Sequence, residues 1–251
     1  MSPSLYVQYI QLYNICYETR NSNILLVCND QDFTSDFVVR QTTGFSPDAP
    51  MTVEIKDSTM TSGAAGVVFD NDGGRLILEN IEISDLTSAS IVATANAGTS
   101  FLQDSKISSS SVSSITFTTA AASQTVMNVE VSGMSMVEDA FFVEGSESVL
   151  SIVDSNIVKN EIESPMSWTA VTVSSQATAT ITGSTISENT GLEFGVSSTL
   201  GGLAFLQNSN LVSNFGAISN NVTSALLFGI SDSTLFVEDT KFTDNREFSV
   251  S

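Results

Sequence analysis

Carboxylates are the residues with which this chain could do chemistry. Twenty-eight acidic residues stand against eight basic ones, histidine is absent, and the formal net charge is −20. Without histidine, proton transfer near neutral pH falls to carboxyl groups, and metal ligation falls to oxygen donors. One group of acids, Glu138, Asp139, Glu161, Glu163, Glu188 and Glu193, brackets the single tryptophan, Trp168. An exposed indole ringed by carboxylates would stack on a sugar and hydrogen-bond its hydroxyls, or hold a divalent cation. A second group is the run Asp70-Asn71-Asp72-Gly73-Gly74-Arg75, in which Asp70 and Asp72 are the candidate metal ligands. An ordinary Asp/Gly turn between two coils is the favoured reading of that run. No cofactor is required by these residues, and Ca2+ is the one ion they suggest.

A third set is defined by spacing. Asp57, Asn80, Asp104, Asn128, Asp154, Gly183, Asn208 and Asp239 follow one another at steps of 23, 24, 24, 26, 29, 25 and 31 residues. Five of them close the pattern apolar-any-apolar-any-Asx, as in Val53-Glu54-Ile55-Lys56-Asp57 or Leu235-Phe236-Val237-Glu238-Asp239. Leu102-Gln103-Asp104 and Val126-Met127-Asn128 keep its last part, and Gly183 replaces the Asx after Ala179-Thr180-Ile181-Thr182. An apolar residue follows each three positions later. The mean period of 26 is too short for a propeller blade of ~40–45 residues and suits one coil of a parallel β-solenoid. Alternate apolar residues point inward, and Glu54, Lys56, Glu79, Gln103 and Glu238 point out. A second apolar strand follows each of these anchors, from Val67–Phe69 to Phe248–Val250. Coils stacked ~4.8 Å apart set the anchors in one column. Because aspartates never neighbour one another there, the column is expected to be an internal Asn/Asp ladder at a corner, structural rather than catalytic. A second column, Asn160, Asn189, Asn214 and Asn245, with Gly63 at the equivalent place, is expected at left-handed turn positions.

These columns set the organisation. Residues 51–251 are the repeats, ending mid-coil, so that further coils C-terminal to Ser251 are expected if the chain is a fragment. Residues 1–50 are an N-terminal cap: a helix over 3–18 started by Ser2-Pro3, with Leu5, Tyr9, Leu12 and Cys16 on one face, then a degenerate coil over 24–39 with Leu25, Val27 and Asn29 in the anchor pattern. Enlarged loops at 161–168 and 215–224 should leave the same corner of the solenoid, where function commonly lies on loops carried by a rigid scaffold.

Charge excludes some partners. A surface of −20 repels nucleic-acid phosphates and anionic membranes. No apolar run reaches the ~18–20 residues of a membrane span, and the first residues lack the basic start of a signal peptide. Cys16 and Cys28 either pair in an oxidising compartment or are two buried thiols. Asn221-Val222-Thr223 is a glycosylation triplet, meaningful if the protein is secreted.

The repeat motifs resemble the right-handed β-helix repeats of the pectin-lyase-like superfamily. The elements Ile157–Asn160, Ile186–Asn189 and Phe242–Asn245, with Gly201-Gly202, are also similar to repeats of chlamydial polymorphic outer-membrane proteins. The resemblance covers about 200 of 251 residues and implies an all-β, right-handed parallel β-helix of about eight to nine coils with a short capping helix. Superfamily enzymes are mostly polysaccharide lyases, hydrolases and esterases. Galacturonan hydrolases use aspartates with a His and an Arg-x-Lys element, both missing here. Pectate lyases use a calcium-binding carboxylate cluster beside a basic residue, to which Asp70–Arg75 comes nearest. The function expected is therefore a non-catalytic extracellular or cell-surface module, acting as scaffold, adhesin or carbohydrate-binding domain. The alternative is a divergent polysaccharide lyase or glycoside hydrolase. An ice-binding face would need a regular Thr-x-Thr array, which only Thr180 and Thr182 approximate.

Overall fold

The structure, a computed structural model, describes residues 16–21, 23–29, 32–33, 39–41, 52–61, 66–71, 73–86, 89–119, 121–136, 138–161, 168–216 and 224–246. Among these residues every regular element is a strand, and the chain coils into a parallel β-helix. Each full coil has three strands. On the first face Asn23–Asn29, Thr52–Thr61, Arg75–Ser84, Thr99–Gln103, Ser123–Met127, Val149–Val153, Thr178–Thr182, Leu203–Gln207 and Thr234–Glu238 stack as successive parallel neighbours. A short second face continues round the corner through Lys106–Ser108, Glu130–Ser132, Asn156–Val158, Thr185–Ser187, Asn210–Val212 and Lys241–Thr243. The third face holds Val39–Gln41, Gly66–Asn71, Ala89–Ala95, Ser111–Thr118, Phe141–Glu144, Trp168–Ser174, Leu192–Ser198 and Ala225–Gly229.

The core follows from alternation. On the first face one inward column reads Ile55, Leu78, Leu102, Val126, Ile152, Ile181 and Leu206, each at most 1% exposed. Its neighbour reads Val53, Leu76, Ser100, Gln124, Leu150, Ala179 and Ala204. Fully burying one such aliphatic side chain contributes ~1.5–3 kcal/mol. The two polar members are satisfied: Ser100 Oγ accepts from Asn71 Nδ2 at 2.9 Å, and Gln124 Oε1 accepts from Thr118 Oγ1 at 2.6 Å.

Two corners in each coil are made by single left-handed residues. The first is the anchor column, where Asp57, Asn80, Asp104, Asn128, Asp154, Asn208 and Asp239 have φ between 46° and 53°, and Gly183 has 62°. Asn and Asp accept this conformation more readily than other non-glycine residues. A left-handed residue inserted between two strands shifts the inward phase by one position. Burial therefore falls on the next residue, in the column Ser58, Ile81, Ser105, Val129, Ser155, Ser184 and Ser209.

The anchor ladder is thus exposed, not internal as alternation alone suggested. It is nonetheless a hydrogen-bonded ladder: Asn80 Nδ2 donates to Asp57 Oδ1, and Asn128 Nδ2 to Asp104 Oδ1 at 2.7 Å. The internal column behind it is mostly serine, with Ile81 and Val129 between. Backbone N–H groups of Ile81, Val129, Ser155 and Ser184 donate to Ser105, Ser155, Ser184 and Ser209 Oγ in the following coil at 3.1–3.2 Å.

The second corner repeats the device. Lys159, Glu188, Ser213 and Asp244 are left-handed, with φ of 53–55°. The asparagines that follow are not the turn residues they were expected to be. Asn160, Asn189 and Asn214 are fully buried and form the true internal ladder. Coils N-terminal to these place Leu86, Ser110 and Met134 there.

At the N-terminus, residues 3–15 of the expected helix lie outside the described residues, and its last part belongs to strand Cys16–Asn21. That strand runs antiparallel to Asn23–Asn29. Strand Asn23–Asn29 stacks on Thr52–Thr61 one residue away from the expected register. Leu26 and Cys28, rather than Leu25 and Val27, stand at the register positions of Val53 and Ile55.

Candidate functional site

The first corner bends the outer surface inward and leaves a groove of about 550 Å³ running across four coils and touching a fifth at Asn156. One wall is the anchor column Asp57, Asn80, Asp104 and Asn128. The other is the outward row Thr59, Glu82, Lys106, Glu130 and Asn156, and Ser58, Ile81, Ser105 and Val129 form the floor. Lys106 Nζ lies 3.4 Å from Glu130 Oε1. That contact and a hydrogen bond from the Ser132 hydroxyl hold the Glu130 carboxyl below its ordinary value, the hydroxyl being the larger influence. Each coil thus contributes one amide or carboxylate to the same wall at the strand spacing of ~4.8 Å. The inter-coil bonds at Asp57 and Asp104 orient these groups before any ligand arrives.

Along its first two coils the groove adjoins the outward charges Glu54, Lys56, Arg75 and Glu79, and from its third coil onward it adjoins an uncharged part of the first face. From Thr99 to Gln207 the outward positions of five consecutive strands carry no ionisable group, and their central column reads Phe101, Thr125, Ser151, Thr180 and Phe205. On a chain of −20 this is a local gap in the charge.

The predicted acidic corner is partly assembled. Asp139 is partly buried beside Glu138 and Glu193, and burial pushes its carboxyl up to about 6. The hydroxyls of Thr172 and Thr169 hydrogen-bond the carboxyl and pull the other way, while the charges of Glu138 and Glu193 push further upward. Glu188 stands at the second corner, exposed, 3.9 Å from Lys159 Nζ. Glu161 is exposed and bridges to Ser135. Glu163 and Asn221 lie outside the described residues.

Trp168 is not a platform. It is 1% exposed at the start of Trp168–Ser174, and its Nε1–H donates to the Thr190 carbonyl at 2.9 Å. Its period-2 neighbour Ala170 is likewise buried, whereas Thr172 is half-buried. A register shift between Trp168 and Thr169 turns the indole into the core. With that burial the proposed stacking surface is gone.

Asp70 is 8% exposed and accepts hydrogen bonds from Thr94 Oγ1 at 2.7 Å and Asn96 Nδ2 at 3.3 Å. Asn71 Oδ1 accepts from Gly73 N at 3.2 Å, as in an Asx turn, and Asp72 is outside the described residues. Among the described residues no three Asp, Glu, Cys or His side chains converge as metal ligands. Among them there is no helix long and apolar enough to cross a membrane, a statement that does not bear on β-barrels.

The coils and their groove define a repetitive parallel β-helix protein. No protein-family model, no curated protein and no solved structure matches the chain. Sequence reasoning missed the groove because it assigned the anchors to the interior. The signal was present in their composition: a column of Asp, Asn and Gly favours left-handed turns.

Proposed function

We propose that this chain is a non-catalytic carbohydrate-binding β-helix module of the extracellular space or cell surface. The observation carrying this reading is the groove along Asp57, Asn80, Asp104 and Asn128, which repeats pre-oriented hydrogen-bonding groups once per coil. An extended glycan also repeats its hydroxyls along one axis, and carboxylates and amides bind such hydroxyls by paired hydrogen bonds. The uncharged strip, which begins beside the groove's third coil and runs on past it, offers Thr125, Ser151 and Thr180 to the same chain without electrostatic opposition. The resemblance of the repeats to pectin-lyase-like β-helices supports the ligand class. The absence of histidine and of the Arg-x-Lys element supports binding over turnover.

The test is a glycan array probed with and without Ca2+, followed by titration of the best ligand. Asp104→Ala with Asn128→Ala is expected to weaken binding at least tenfold, and Glu161→Gln to leave it unchanged. Unchanged affinity in the double variant would overturn the groove as the binding surface.

One observation favours a second reading, a divergent glycoside hydrolase. A carboxyl held protonated to about pH 6 beside two further carboxylates has the form of a general acid with a partner. Release of reducing ends from a polysaccharide, lost in Asp139→Asn, would replace the binding module with an enzyme.

A further inference from the structure

We propose that Cys16 and Cys28 form an intrachain disulfide that staples the hairpin at the N-terminal end of the solenoid. They are the two cysteines of the chain. The antiparallel ladder between Cys16–Asn21 and Asn23–Asn29 sets them directly opposite, at the end farthest from the turn. Directly opposite residues of an antiparallel pair stand ~4.5–5.5 Å apart at Cα, inside the ~4.4–6.8 Å that a disulfide spans. A slip of one residue in either strand would separate them, so the register itself carries the inference.

The position also gives the bond a task. Strand Asn23–Asn29 is hydrogen-bonded onward to the next coil, with Cys28 level with Ile55. Strand Cys16–Asn21 has one described pairing, the hairpin itself, and stands where the first face would present an open edge. Open edges recruit other strands unless they are covered and held. A bond at Cys16 fastens this cover to a strand already fixed in the ladder, and it closes the longest loop that the hairpin allows.

The oxidation needs an acceptor for two electrons, and a small-molecule disulfide such as oxidised glutathione suffices. One cysteine thiolate attacks it, forming a mixed disulfide and releasing one glutathione thiol. The second thiolate then displaces the remaining glutathione, so two cysteine thiols become one disulfide and two reduced glutathiones form. An oxidising glutathione pool is the condition of a secretory or extracellular compartment.

The experiment uses the whole chain, equilibrated in reduced and oxidised glutathione, denatured without reductant and treated with a maleimide. The expected product carries no label and weighs two hydrogens less than the reduced chain. Trypsin cuts after Arg20, between the cysteines, so peptides 1–20 and 21–40 should remain joined until reduced. Two labelled thiols, a glutathione adduct, or a disulfide-linked dimer would each overturn the proposal. Amide exchange of residues 16–21 should accelerate at least tenfold on reduction, and unchanged exchange would overturn the stapling role.

Discussion

Asn189 donates its side-chain amide to Asn214 Oδ1 at 2.9 Å, while its own Oδ1 accepts the amide of Asn160 at 3.0 Å. The same Nδ2 donates to the Ile157 carbonyl at 2.9 Å, and the same Oδ1 accepts the Asn160 backbone N–H at 3.0 Å. All four hydrogen-bonding places of a buried amide are therefore filled. The pattern repeats from Asn160 to Asn245 at 2.8–3.2 Å. These side chains supply the inter-coil bonds that the backbone cannot make where it turns.

Replacing Asn189 with alanine leaves the Asn160 backbone N–H, one Asn160 amide hydrogen and the Ile157 carbonyl without partners. Each buried orphan costs ~1–3 kcal/mol, and water entering the vacated space recovers part. Asn189→Ala is expected to destabilise by about 4 kcal/mol, read from the urea midpoint. A loss below ~1 kcal/mol would show that the ladder is dispensable.

Gly183 interrupts the exposed anchor column, and a β-carbon added there would collide with the side-chain Oδ1 of Asp154. That oxygen ends a flexible, exposed side chain, and φ at this position, 62°, suits asparagine. Gly183→Asn should let the new amide bond to Asp154 as Asn128 does to Asp104. The expected gain is ~0.5–1 kcal/mol from the hydrogen bond and the stiffer unfolded chain. Lower stability in thermal unfolding would mean that Asp154 cannot move aside.

Asp139 ties stability to pH. Its folded value of about 6 lies above the ordinary 3.8, so folding favours the protonated form. That contribution is complete below about pH 4 and is lost as pH rises through 6. Asp139→Asn should therefore stabilise the protein at pH 7.5, by about 2–3 kcal/mol at most, and the difference from the unaltered chain should vanish near pH 4. Denaturant unfolding across pH 4–8 measures it.

Trp168 reports on the core directly, because no other tryptophan competes. Its emission should be blue-shifted and resist acrylamide quenching, and should shift red together with loss of β circular dichroism. Trp168→Ala should cost ~3–5 kcal/mol. Trp168→Phe keeps most of the volume but orphans the Thr190 carbonyl, so an intermediate loss is expected.

What could be read from the chain depended on which residues obey alternation. Ile55, Leu78 and Leu102 recur at a fixed place between turn-forming residues, so the coil and its period were legible. Asp57 was assigned inward because it continues the series Val53, Ile55; its positive φ breaks that series and moves burial to Ser58. Asn160 was assigned to a turn because asparagine suits one, whereas Lys159 makes the turn and Asn160 bonds across coils. Trp168 misled similarly, since a register shift has no signature in composition. Residue type reports local preference, and side-chain direction at a corner is decided by the neighbour in the next coil.

Along the column the amides of Asn160, Asn189 and Asn214 each donate one hydrogen to the side-chain oxygen of the C-terminal neighbour, the second hydrogen returning to a backbone carbonyl of the preceding coil. Strand bonds in a parallel ladder run in both senses and largely cancel along the axis, but these dipoles add and polarise one another. The C-terminal half of the molecule thus contains an electrically directed wire, absent where Leu86, Ser110 and Met134 take the same place. Its positive pole lies toward Asn245.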